Sequence, residues 1–200
     1  MQTSFRLTFS ILVLGAVGYQ LSLHLGAGHS AVNFLSYFTN LSNLLAGMVF
    51  LAGAARNVRG QPPSRTFNAI RTAATLNMIV VGVVFALLLR NVDLGDLRPW
   101  VNVIVHYVMP LAVTVEYLCW PPRGRAATKQ LIVLLLFPTA YVAYVLIRGA
   151  ATGWYPYPFL NPAIVGGYTG VAPYVAGIFA LFVIMAWLFT KLSARIAASR

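Results

Sequence analysis

Charge is what this sequence has least of. Only 8% of its 200 residues are Asp, Glu, Lys or Arg, and three of those are acidic, where soluble domains carry about a quarter. Set beside 60% hydrophobic residues, that scarcity excludes a soluble globular domain. The lone cysteine, Cys119, excludes an internal disulfide and carries no information on compartment. Neither metal-ligand spacing nor a Gly-rich phosphate loop occurs, so the sequence implies no metal and no cofactor. The net charge of +11 does not gather on a soluble module, which argues against a nucleic-acid partner. Lys and Arg beside apolar runs instead set topology and touch anionic head groups.

What is present is a series of apolar runs of about 20 residues, the length that crosses a bilayer core. They cover roughly 5–24, 31–54, 70–90, 100–120, 130–148 and 171–190. The expectation is an all-α protein, a polytopic six-transmembrane-helix bundle forming a single domain over 1–200. If both termini are cytoplasmic, the inner segments hold eleven of the basic residues and the outer ones hold Arg90, Arg98 and Arg148. That positive-inside bias selects this orientation, in a cell inner membrane. Arg6 ahead of an apolar core imitates a signal peptide, but no small-x-small cleavage site follows, so the first run reads as a retained helix. Asn40-Leu41-Ser42 matches a glycosylation sequon yet lies within a span, where it would stay unmodified. The lack of an internal repeat weakens an inverted-repeat transporter reading.

The polar residues inside these runs carry the functional question. In the stretch 33–43, Asn33, Ser36, Asn40 and Asn43 recur at steps of three and four, one helix face with Thr39 close beside it. Polar groups in hydrocarbon need partners or a wet cavity. In the fourth span Asn102, His106 and Pro110 recur at steps of four, and Pro110 removes a backbone donor, which predicts a kink below His106. Histidine is the side chain suited to exchange protons near neutral pH. Counted from the outer ends of their spans, Thr39 and His106 both lie roughly 9–12 Å deep at ~1.5 Å per residue. In one layer, an imidazole can take the proton of a hydroxyl and make it a nucleophile. Asn40 or Asn43 can orient the base or stabilise an oxyanion. The same groups are common interhelical hydrogen bonders with no catalytic duty, and residue chemistry alone favours that reading.

Elsewhere, Glu116 is the one acid within a span and is expected to pair with Arg123 or Arg125 near the inner surface. Asn77, Thr72 and Thr75 read as packing contacts. Tyr141, Tyr144 and Arg148 form a stripe on the fifth span; the planar fork of Arg148 suits a carboxylate or a lipid phosphate. The aromatic, proline-alternating loop 154–162 is expected to be stiff and extended. It should fold back over the outer mouth of the bundle, as a lid or an interface plate.

Three stretches together carry a resemblance: Tyr-Phe-Thr-Asn-Leu-Ser-Asn (37–43), His-Tyr-Val-Met-Pro (106–110) and Arg-Gly…Gly-Trp-Tyr-Pro-Tyr-Pro-Phe-Leu (148–160). They resemble the Pr-six-Pr family of bacterial six-span membrane proteins over nearly the whole chain. More remotely, the layout is similar to the androgen-induced and androgen-dependent transmembrane proteins, threonine hydrolases that cleave fatty acid esters of hydroxy fatty acids. That resemblance implies an intramembrane hydrolase of lipid-like (fatty acyl) esters with Thr39 as nucleophile and His106 as base. Asn40, Asn43, Asn102, Tyr144 and Arg148 would contact substrate, and membrane lipid would be the partner. The alternative is a non-enzymatic transporter or lipid-binding protein with a polar intramembrane pocket.

Overall fold

A backbone that crosses hydrocarbon must satisfy its own donors and acceptors, and a helix does so within one segment. The computed structural model describes residues 1–122 and 128–198, and no strand occurs among them. The helices are α1 (Gln2–Gly26), α2 (Ala31–Leu35), α3 (Phe38–Val58), α4 (Arg65–Leu89), α5 (Pro99–Cys119), α6 (Thr128–Thr152), α7 (Pro162–Val165) and α8 (Tyr168–Ala198). Six of them, α1, α3, α4, α5, α6 and α8, are long and apolar enough to cross a membrane, which makes this a multi-pass membrane protein. Packing divides the chain into two compact units, Met1–Gly124 and Arg125–Arg200.

The second apolar run departs from expectation. In place of one helix over 31–54, α2 stops at Leu35 and Tyr37 turns extended (φ −79°, ψ 125°) before α3 begins at Phe38 and continues to Val58. Local polar groups stabilise the break. Ser30 Oγ accepts from Val32 N–H at the start of α2, and Ser36 Oγ donates back to Val32 O at 2.7 Å. Asn40 Nδ2 donates across the gap to Phe34 O at 2.8 Å. Asn33 and Ser36 therefore belong to the end of α2, while Asn40 and Asn43 belong to α3, and the single polar face expected over 33–43 is divided.

Within the first unit, α1 and α3 approach closely along small residues. Ala46 and Ala54 are almost fully buried, and Ser10 Oγ donates to Gly47 O at 2.9 Å. A Cβ at Gly47 would sit 2.9 Å from the side chains of Leu14 and Val13, so the approach requires glycine. Val13, Leu76, Met78, Met109 and Val113 fill the interior behind this contact.

Glu116, on α5, has no solvent exposure, and its carboxylate lies 2.7 Å from both Arg6 Nη2 on α1 and Arg71 Nη2 on α4. Arg71 also donates to the carbonyls of Glu116 and Trp120. Among the described residues the partners of Glu116 are thus Arg6 and Arg71; Arg123 and Arg125, the partners expected from the sequence, lie outside the described residues. The reason is depth: Arg6 and Arg71 stand inside their own helices, where their guanidinium groups meet the carboxylate without leaving the interior.

In the second unit the 154–162 stretch is neither wholly extended nor free of its flanking helices. Pro158–Leu160 form a 3₁₀ turn, and Tyr157 and Phe159 stack with centroids 5.2 Å apart and planes 4° from parallel. Phe159 meets Tyr174 of α8, and the ring of Tyr155 lies where a Cβ at Gly149 of α6 would stand. Tyr157 and Phe159 are buried, while Trp154 and Tyr155 remain partly exposed.

Candidate functional site

The break in the second run places Thr39 at the second position of α3, in the first turn of a helix whose positive dipole end lies beside it. Thr39 is 8% exposed. Its Oγ1 lies 3.4 Å from Nε2 of His106, which is 6% exposed, so side chains 67 residues apart in sequence share one buried contact. That distance is long for a hydrogen bond, within a small side-chain movement of a good one.

The local structure of α5 explains how His106 arrives there. Ile104–Val108 form a π turn, in which the Met109 N–H reaches back five residues to Ile104 O. The next bond in that register would join the nitrogen of residue 110 to Val105 O, and Pro110 has no N–H to give. The kink expected at Pro110 therefore takes the form of a π turn with Val105 O left over. Asn43 Nδ2 supplies the missing donor at 3.1 Å and also donates to Thr39 O at 2.9 Å. With both its protons used, Asn43 ties the backbone at the hydroxyl to the backbone beside the imidazole.

Two further contacts hold the ring. Phe85 opens a second π turn, at the end of α4 (Phe85–Leu89), and stacks on His106 with centroids 4.0 Å apart at 16°. On the far edge of the ring, Nδ1 lies 2.6 Å from Oδ1 of Asn102, one turn earlier on α5. π turns inside membrane helices often mark functional positions; here one carries the imidazole and the other its stacking partner.

The residues singled out from sequence thus fall into three groups. Thr39, His106, Asn43 and Asn102 meet directly. Asn40 stands next to Thr39 in the chain, but its amide is bonded to Phe34 O. Tyr144 and Arg148 lie on α6 in the second unit, Tyr144 being 42% exposed and Arg148 stacking its guanidinium over Trp154 at 4.9 Å. The Asn102–His106 pairing was visible as a step of four residues. Nothing in the sequence pointed to Phe85. Asn77 on α4 is 1% exposed, and among the described residues neither polar atom of its side chain has a hydrogen-bond partner; Ser42 Oγ and Asn43 Oδ1 are in the same condition.

A buried hydroxyl facing an imidazole nitrogen whose opposite nitrogen meets an amide oxygen is an arrangement able to move a proton off the hydroxyl. Among known proteins, a family model described as FAR-17a/AIG1-like protein matches residues 25–194, a range that contains Thr39, Asn43, Phe85, Asn102 and His106. No curated protein and no solved structure matches the chain.

Proposed function

The chain belongs to the FAR-17a/AIG1-like family, and on that premise we propose that it is an intramembrane hydrolase of lipid-like (fatty acyl) esters. The contact between Thr39 Oγ1 and His106 Nε2, 3.4 Å apart and screened from solvent, is the observation that carries the reading. In the first half-reaction Thr39 Oγ attacks the ester carbonyl carbon while His106 Nε2 takes the hydroxyl proton. The tetrahedral oxyanion forms near the first turn of α3, whose dipole favours negative charge. Collapse breaks the ester C–O bond, and the imidazolium returns its proton to the leaving alkoxide, giving an alcohol and acyl-Thr39. In the second half-reaction His106 takes a proton from water, the hydroxide oxygen adds to the acyl carbon, and the proton passes to Thr39 Oγ as the fatty acid leaves.

Substrate of this class is already dissolved in the membrane and reaches a buried site laterally. In the proposed orientation both termini face the cytoplasm of an inner-membrane protein, and the dyad lies in the outer half of the bilayer. Asn40, next to Thr39 in the chain, then stands as a candidate for holding substrate. The test is labelling of purified protein by a fluorophosphonate probe, followed by mapping of the modified residue. Labelling should fall on Thr39 and vanish in Thr39→Ala. Both Thr39→Ala and His106→Ala should lose ester turnover by at least about 10³-fold, with the melting temperature of Thr39→Ala close to that of the parent. Turnover retained by either variant would overturn the dyad.

A second reading, a binding or transport protein, draws on the unbonded buried amide of Asn77 and on Asn43 Oδ1, which a polar ligand would satisfy. It expects no probe labelling, and a rise in melting temperature when a lipid-like ligand is added.

A further inference from the structure

A neutral imidazole has one bare nitrogen and one N–H. For His106 to accept the Thr39 proton, Nε2 must be the bare one, so the ring proton must sit on Nδ1 and find an acceptor there. The group at that position is Asn102 Oδ1, 2.6 Å from Nδ1. We propose that Asn102 is a positioning residue that holds His106 in the Nδ1–H tautomer with its Nε2 lone pair turned toward Thr39.

Three features of the site support this role. The ring is 6% exposed, which limits the competition of water for Nδ1. Phe85 is stacked on one face and fixes the plane of the ring, leaving the in-plane hydrogen bond to choose the tautomer. Asn102 stands one turn before His106 on the same helix, which keeps the pair in register however the neighbouring helices shift. An amide also does the work without charge; a carboxylate at this depth would add an anion to a hydrocarbon environment. The opposite orientation of the amide is chemically distinct: Nδ2 would donate to Nδ1, the proton would move to Nε2, and Thr39 would face an N–H in place of a base. The tautomer is a property of the folded protein, and only its consequence for turnover rests on the hydrolase reading.

The experiment is nitrogen NMR of the full chain, labelled with ¹⁵N-histidine, in micelles or nanodiscs above neutral pH. The chain has three histidines, His24, His29 and His106, and the signals of His106 are those missing from His106→Gln. The expected result is a protonated Nδ1 and a bare Nε2 in the parent protein, lost or inverted in Asn102→Leu and retained in Asn102→Asp, whose oxygen also accepts. In ester turnover, Asn102→Leu should lower kcat by about 10²-fold with KM nearly unchanged, and Asn102→Asp should recover most of that loss. A parent protein protonated at Nε2, or an Asn102→Leu variant with an unchanged tautomer, overturns the proposal. If Asn102→Leu does not fold, the spectra of the parent and of Asn102→Asp still decide, because both must show Nδ1–H. An Nδ1–H tautomer in a protein that cleaves no ester would sustain the role of Asn102 and remove the hydrolase reading instead.

Discussion

Glu116 and Thr39 are both buried polar residues, and substitution should separate them cleanly. Glu116 is the shared counter-ion of Arg6 and Arg71 in the interior. Glu116→Gln would leave two buried guanidinium groups facing one neutral amide, a change that costs about 3–5 kcal/mol. The expected readout is a markedly lower melting temperature in detergent, whatever happens to turnover. Thr39→Ala removes the hydroxyl that faces His106 and should do the reverse, sparing stability and ending catalysis. The shared layer of Thr39 and His106 was legible in the sequence, because equal depth in two parallel spans is a count of residues; that the two side chains meet there was not. The partners of Glu116 were not. Arg6 and Arg71 sit near the ends of apolar runs, where basic residues read as topology signals, and only their packing shows that they turn inward.

Among the elements, α5 makes the sharpest test. Pro110 withholds the N–H that the π turn would direct at Val105 O, and Asn43 replaces it. Asn43→Leu should therefore strand a buried carbonyl and cost about 1–3 kcal/mol. Pro110→Ala supplies a backbone donor to the same carbonyl, so the double variant should lose less stability than the two single losses added together. A double-mutant cycle of unfolding free energies measures this; strict additivity would mean that the two residues do not share the carbonyl. Pro110 announced a disturbed helix ladder but not its form. The π turn at Phe85–Leu89 had no herald, since the run Phe-Ala-Leu-Leu-Leu contains neither proline nor glycine. The interruption at Ser36 and Tyr37 was equally hidden: both residues are compatible with a helix, and the choice between one helix and two was made by side-chain bonds to backbone groups several residues away.

For the whole molecule, the six spans were the most legible feature, because bilayer thickness converts directly into residue number. Orientation rests on the distribution of Lys and Arg and has a direct test. In a Cys119→Ser background, Arg59→Cys and Asp93→Cys place single thiols in the connectors before and after α4. A membrane-impermeant maleimide added to intact cells should modify Asp93→Cys and spare Arg59→Cys; the opposite pattern would invert the topology. The buried charge cluster bears on how such a chain is made. Arg6 precedes Glu116 by 110 residues and Arg71 precedes it by 45, so the ribosome delivers two cationic helices well before the anion that lets them settle. Until α5 emerges, both arginines must wait with their side chains stretched toward the head groups. Nascent chains cut before α5 should accordingly remain open to extraction and proteolysis, and the arrival of Glu116 is the moment at which α1 and α4 are locked into place.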